Sequence, residues 1–108
     1  MKPSYKKIDF VQARQMLDAD PSALLLDVRT EQEYIVEHAS GAVLFPLDDI
    51  SAGSAQSVIP DKSTAALVYC RTGRRSLEAA ERLLALGYEN VYDLGSLEGW
   101  PYGKDFGE

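Results

Sequence analysis

Residues 70–75 read Cys-Arg-Thr-Gly-Arg-Arg and hold the chain's single cysteine with three of its eleven basic residues. A thiolate is a strong nucleophile; a thiol is not. An ordinary thiol is only about 3% ionised at neutral pH, and half-ionisation takes ~2 kcal/mol of extra stabilisation. A helix N-terminus contributes about 0.3–1 kcal/mol, which falls short alone. A close arginine supplies the remainder. Cys70 is therefore the candidate nucleophile, and Arg71, Thr72, Gly73, Arg74 and Arg75 form the candidate anion cradle around it. Gly73 lets the backbone curl through positive φ. Arg75 sits nearest the helix and has a second reading, as a brace on Asp27 or on a loop carbonyl. A lone cysteine ending an apolar strand is more commonly an inert buried hydrophobe. What favours the nucleophile is the combination of strand, cysteine, glycine-containing basic loop and helix start.

The elements that must position this loop follow from apolar patterning. Ala65–Tyr69 is a continuous apolar run ending at Cys70, and Ala23–Val28 is a second one. Both read as strands buried on two faces, hence parallel. Ser76–Leu86 is the best helix, with Leu77, Ala80, Leu83 and Leu84 on one stripe and Gly87 as its stop. Cys70 thus lies where a central strand hands over to a helix, the usual ligand position of an open α/β sheet. Asp9 is the expected cap of a helix carrying Phe10, Ala13, Met16 and Leu17. Thr30 and Glu33 fit a capping box for a short helix to about Glu37. Short strands are expected at Tyr5–Ile8, Gly41–Phe45 and Val91–Leu94. Residues 47–62 suggest one or two helical turns, and the Gly/Pro-containing tail suggests mostly loop.

The 108 residues make one domain. Net charge is −6, so bulk electrostatics argue against a nucleic-acid or membrane-surface partner. One cysteine and one histidine exclude an internal disulfide and argue against a zinc site; no metal or cofactor is expected. No apolar run approaches the ~20 residues that span a bilayer. The N-terminus lacks the apolar core of a signal peptide, and a cytoplasmic location is the expectation. His38, Trp100, Tyr88 and Tyr92 read as structural residues.

Four segments, LLLDVRTEQEY at 24–34, EHASGAVLFP at 37–46, VYCRTGRRS at 68–76 and GYENVYDLGSLEGW at 87–100, occur in an order that resembles the rhodanese family of sulfurtransferases in its single-domain form. The resemblance spans about residues 8–100. It implies a rhodanese-like three-layer α/β/α fold on a five-stranded, mainly parallel sheet, with residues 1–108 as one domain and a core of about 5–100. It implies that Cys70 takes sulfane sulfur from a small donor, such as thiosulfate or a persulfide, and passes it to a thiol or cyanide. N–H groups from Arg71 to Arg75 would hold the outer sulfur. Asp27 and Arg29 look like the supporting pair that borders the loop. Glu33 stands where long members carry a basic residue that helps hold thiosulfate, with Arg71 and Arg74 available instead. Leu44 and Ser96 also depart from the family's pattern, at positions that look structural.

Two rival readings stand beside this one. A sulfur-relay or regulatory binding module would act with a protein partner. A phosphatase or arsenate reductase would use the same strand–loop–helix, but the resemblance ties phosphate chemistry to a loop one residue longer. Here the residue six after Cys70 is Ser76, not arginine.

Overall fold

A computed structural model describes residues 4–107. The two apolar runs become β2 (Leu24–Asp27) and β5 (Ala65–Cys70), at the middle of a sheet. They pair in parallel, from Leu24 beside Ala66 to Asp27 beside Tyr69. β6 (Asn90–Ser96) lies on the other side of β5, and β1 (Lys6–Lys7) and β4 (Val43–Leu44) form the edges. The order is β1-β6-β5-β2-β4, with every pair parallel. A parallel sheet must be covered on both faces. Along β5, Ala66, Val68 and Cys70 turn to one face, where they meet Ala55 of α3 (Ala52–Val58) and Ala79, Ala80 and Leu83 of α4 (Arg74–Ala85). Leu67 and Tyr69 turn to the other face and join Ala13 of α1 (Phe10–Ala19) with Leu97 and Trp100 of the tail. This is the three-layer α/β/α arrangement that the family resemblance implies.

Several details differ from expectation. α4 begins at Arg74, not Ser76, so two loop arginines belong to its first turn. β6 is longer than 91–94 and contains a bulge: Val68 pairs with Asp93, but Tyr69 pairs with Gly95, leaving Leu94 unmatched. The polar stretch from 47 to 62 makes a 3₁₀ turn, Leu47–Asp49, and α3. The tail is mostly loop, as expected, but adds one short strand. Its β7 (Lys104–Asp105) pairs antiparallel with β3 (His38–Ala39), and Gly103 O accepts from Ser40 N at 3.1 Å and Trp100 Nε1 at 3.0 Å.

The starts of α1 and α2 follow the sequence closely. α1, α2 (Glu31–Val36) and α3 each carry a reciprocal capping box, Asp9 with Gln12, Thr30 with Glu33, and Ser51 with Ser54. His38 is buried, with Nδ1 2.8 Å from Tyr34 O and its ring stacked 3.6 Å from that of Tyr34, which is the structural role expected of it. Trp100 and Tyr88 are core residues as well.

Candidate active site

Cys70 is the last residue of β5 and is fully buried. Both neighbouring strands clamp this strand end: Val28 N donates to Tyr69 O at 3.1 Å, and Leu97 N donates to Cys70 O at 2.8 Å. The chain then turns through Arg71, Thr72 and Gly73 into α4. Gly73 has φ +94° and ψ −10°, left-handed values that favour glycine. Space is not the constraint, because a Cβ there would meet Gly95 Cα at an ordinary 3.8 Å. The result of the turn is that Gly73 N donates to Cys70 Sγ at 2.9 Å.

α4 differs from the other three α-helices at its N-terminus. Its N-cap is Gly73, which makes no side-chain cap, whereas α1, α2 and α3 each start on a capping side chain. The N–H groups of Arg74, Arg75 and Ser76 therefore have no intrahelical acceptor and no capping side chain. Two arginines at a positive helix end run against the usual preference for acids there. An uncapped, cation-rich helix start beside a thiol suits an anion at the sulfur. Ser76 Oγ donates to Gly73 O at 3.1 Å, and Ser96 Oγ donates to Arg71 O at 2.5 Å, so the loop's carbonyls are tied back to α4 and β6.

The three arginines diverge. Arg71 and Arg74 are exposed, and neither belongs to the five ion pairs among the described residues. Arg71 helps line a pocket of about 310 Å³ with Arg29, Glu37, Leu97, Glu98 and Lys104. Arg75 is half-buried and bidentate: Nη1 reaches Glu33 Oε1 at 2.6 Å and Nη2 reaches Oε2 at 3.0 Å. This corrects the alternative of an Arg75 brace on Asp27 or a loop carbonyl. The Arg75 hydrogen bonds draw the Glu33 carboxyl down to about 2; burial opposes this and Thr30 assists it. Arg75 is in turn held protonated by Glu33 first, with a smaller push from the charge of Cys70. The charge of Arg75 is thus already matched by Glu33.

Asp27 and Arg29 form the buried pair that the sequence suggested. Arg29 Nε bonds both Asp27 oxygens, at 3.0 and 3.1 Å, and Nη2 bonds Oδ2 at 2.7 Å. Nη2 also donates to Glu37 O at 2.6 Å. Burial works against the Arg29 charge, but the hydrogen bond and charge of Asp27 outweigh it and keep the guanidinium protonated. Sequence reasoning missed Tyr69, whose hydroxyl donates to Asp27 Oδ2 at 2.6 Å and accepts from Ala39 N at 3.1 Å. The available signal was a tyrosine inside a buried run, since a buried phenol needs a partner. Burial first, then the Asp27 bond, pushes its pKa far above the usual value. Nothing in the sequence pointed to the Ser96 contact. No group of three or more metal-ligating side chains occurs among the described residues.

A family model of the rhodanese-like domain matches residues 9–101. The thiosulfate sulfurtransferase PspE of Escherichia coli is 40% identical over 73 residues, which cover 68% of this chain and 69% of that protein. The thiosulfate sulfurtransferase GlpE of Tolumonas auensis is 33% identical over 97 residues, covering 89% and 88%. Among solved structures, an Escherichia coli rhodanese with anions superposes with a TM-score of 0.73 at 34% identity, over 79% of this chain and 99% of that one.

Proposed function

The chain belongs to the rhodanese-like domain family and is a sulfurtransferase, and we propose that Cys70 carries the sulfur as a persulfide. In the first step the Cys70 thiolate attacks the outer sulfur of a donor such as thiosulfate. A sulfur–sulfur bond forms at Cys70, the donor's sulfur–sulfur bond breaks, and sulfite leaves with that electron pair. In the second step cyanide or an acceptor thiolate attacks the outer sulfur. The Cys70 disulfur bond breaks, thiocyanate or a new persulfide departs, and the thiolate returns. No proton moves at a carbon or an alkoxide, so the cycle asks for no general base.

The observation that carries this reading is the 2.9 Å bond from Gly73 N to Cys70 Sγ at the uncapped start of α4. Backbone N–H groups fixed there before reaction would stabilise anionic sulfur without reorganising. Arg29 and Asp27 serve as the support that holds the neighbouring strand end, outside the chemistry. The phosphatase reading is weaker. Arg75, the last loop arginine, is engaged by Glu33 and not held ready for an oxyanion. With one cysteine, the domain has no internal thiol to discharge its persulfide, so the acceptor must come from outside, whether a small thiol or a relay protein. Cys70→Ser should abolish transfer from thiosulfate to cyanide and abolish the one-sulfur gain in intact mass after donor exposure, with an unchanged circular dichroism spectrum. Turnover retained in a folded Cys70→Ser protein would overturn the proposal.

A further inference from the structure

Glu33 has two engagements that are separable in chemistry. As the third residue of α2 it closes the capping box, with Oε1 accepting from Thr30 N at 3.1 Å. Its carboxylate also takes both ends of the Arg75 fork. Capping needs an acceptor oxygen, which glutamine also provides. Pairing with Arg75 uses the charge.

The charge matters because of what surrounds the sulfur. Two guanidinium groups, Arg29 and Arg75, are each matched by a carboxylate, Asp27 and Glu33. What remains for a donor's own charge is the backbone N–H array and two exposed arginines, Arg71 and Arg74. The array binds one sulfur atom. It offers little to the rest of a small dianion, whose second charge would also lie in the field of Glu33. An organic donor brings no such second charge to the sulfur. The 310 Å³ pocket that Arg71 helps line mixes Arg29 and Lys104 with Glu37 and Glu98, and Lys104 is itself paired with Glu37 at 3.7 Å.

Resting on the sulfurtransferase reading, we propose that Glu33 is a specificity-determining residue, which sets donor preference by cancelling the charge of Arg75 and so disfavours inorganic dianions relative to persulfides of organic thiols. Glu33 does not touch the reacting sulfur; it acts through Arg75.

Glu33→Gln keeps the cap and frees the cation. Two measurements on wild type and variant separate the proposal from its premise. The first is alkylation of Cys70 by iodoacetate and by iodoacetamide, reagents that differ in charge and use no sulfur transfer. The ratio of the two rates should rise about fivefold in Glu33→Gln, the size of one partly exposed charge interaction, and the rise should fade in high salt. The second is turnover to cyanide. The variant's KM for thiosulfate should fall by a similar factor with kcat little changed, while kcat/KM for glutathione persulfide should not improve. A merely structural role would lower both donors together and leave the alkylation ratio unmoved, and that result would overturn the proposal. Absence of turnover with either donor in wild type would instead overturn the sulfurtransferase reading, and the alkylation ratio would still decide whether Glu33 cancels the cation.

Discussion

Cys70 was visible in the sequence because a single cysteine at a strand end, followed by a basic glycine-containing turn, is a rare coincidence of types. The division of labour among the arginines was not visible. Sequence spacing places Arg71, Arg74 and Arg75 in one loop, but only the fold sends Arg75 across to Glu33, 42 positions earlier, and leaves the other two in solvent. This makes a graded prediction. Arg75→Ala should slow alkylation of Cys70 by iodoacetamide at pH 6 by about fivefold, since it leaves the Glu33 carboxylate uncompensated beside the cysteine loop. Arg71→Ala and Arg74→Ala should stay close to wild type, because exposed charges are screened by water and salt. Stopped alkylation followed by intact mass resolves the three variants. Equal slowing in all three would mean that the loop acts as a diffuse cationic field and not through Arg75.

At the scale of elements, long periodic segments and the capped starts of α1 and α2 were legible, and short pairings were not. Thr30 and Glu33 announce α2 by residue type and spacing alone. The β3–β7 ladder has two residues on each side and exists because Trp100 and Gly103 dock the tail against Ser40, a tertiary cause with no local signature. The α4 start moved from Ser76 to Arg74 because Gly73, not a polar side chain, ends the loop. The link between α2 and α4 also has a pH signature. Hydrogen bonds from Arg75 hold the folded Glu33 at about 2, below its ordinary 4.5. A depressed folded pKa contributes stability above the unfolded value and loses it as pH falls through the folded one. The stability difference between wild type and Glu33→Gln, about 1 kcal/mol at pH 6 after allowance for solvent screening, should therefore shrink as pH drops from 4.5 toward 2. Urea melts at pH 6 and at the acid end of that window read it directly. A gap that widened on acidification would mean that the carboxylate is unfavourable where it sits.

At the scale of the whole molecule, the alternation along β5 decides which face each residue serves. The same alternation puts Cys70 under α4 and Tyr69 on the opposite face, toward the tail. Tyr69 is the point where the two sheets meet. Its hydroxyl takes Ala39 N from β3 and gives to Asp27 at the end of β2, and Asp27 in turn holds Arg29, whose Nη2 reaches Glu37 O. Tyr69, Ala39, Asp27 and Arg29 are all buried, and among the described residues no buried side-chain polar atom lacks a partner. Removing one oxygen therefore leaves two orphans, a backbone N–H at Ala39 and one lone pair on Asp27. Tyr69→Phe keeps the ring in the core, so the loss is polar and not a cavity. The expected cost is about 1–3 kcal/mol, the range for a buried group left unsatisfied, and it should appear as a lower urea midpoint with an unchanged slope. Cys70 lies on the other face of the strand, so the folded variant should keep its alkylation rate and donor turnover within about twofold, as for sites without shared partners. Amide exchange should show where the loss falls, with protection declining first at Ala39 and its β7 partner Lys104. A Tyr69→Phe protein as stable as wild type would mean that water replaces the hydroxyl, and that the β3–β7 ladder is held to the main sheet by the tail alone.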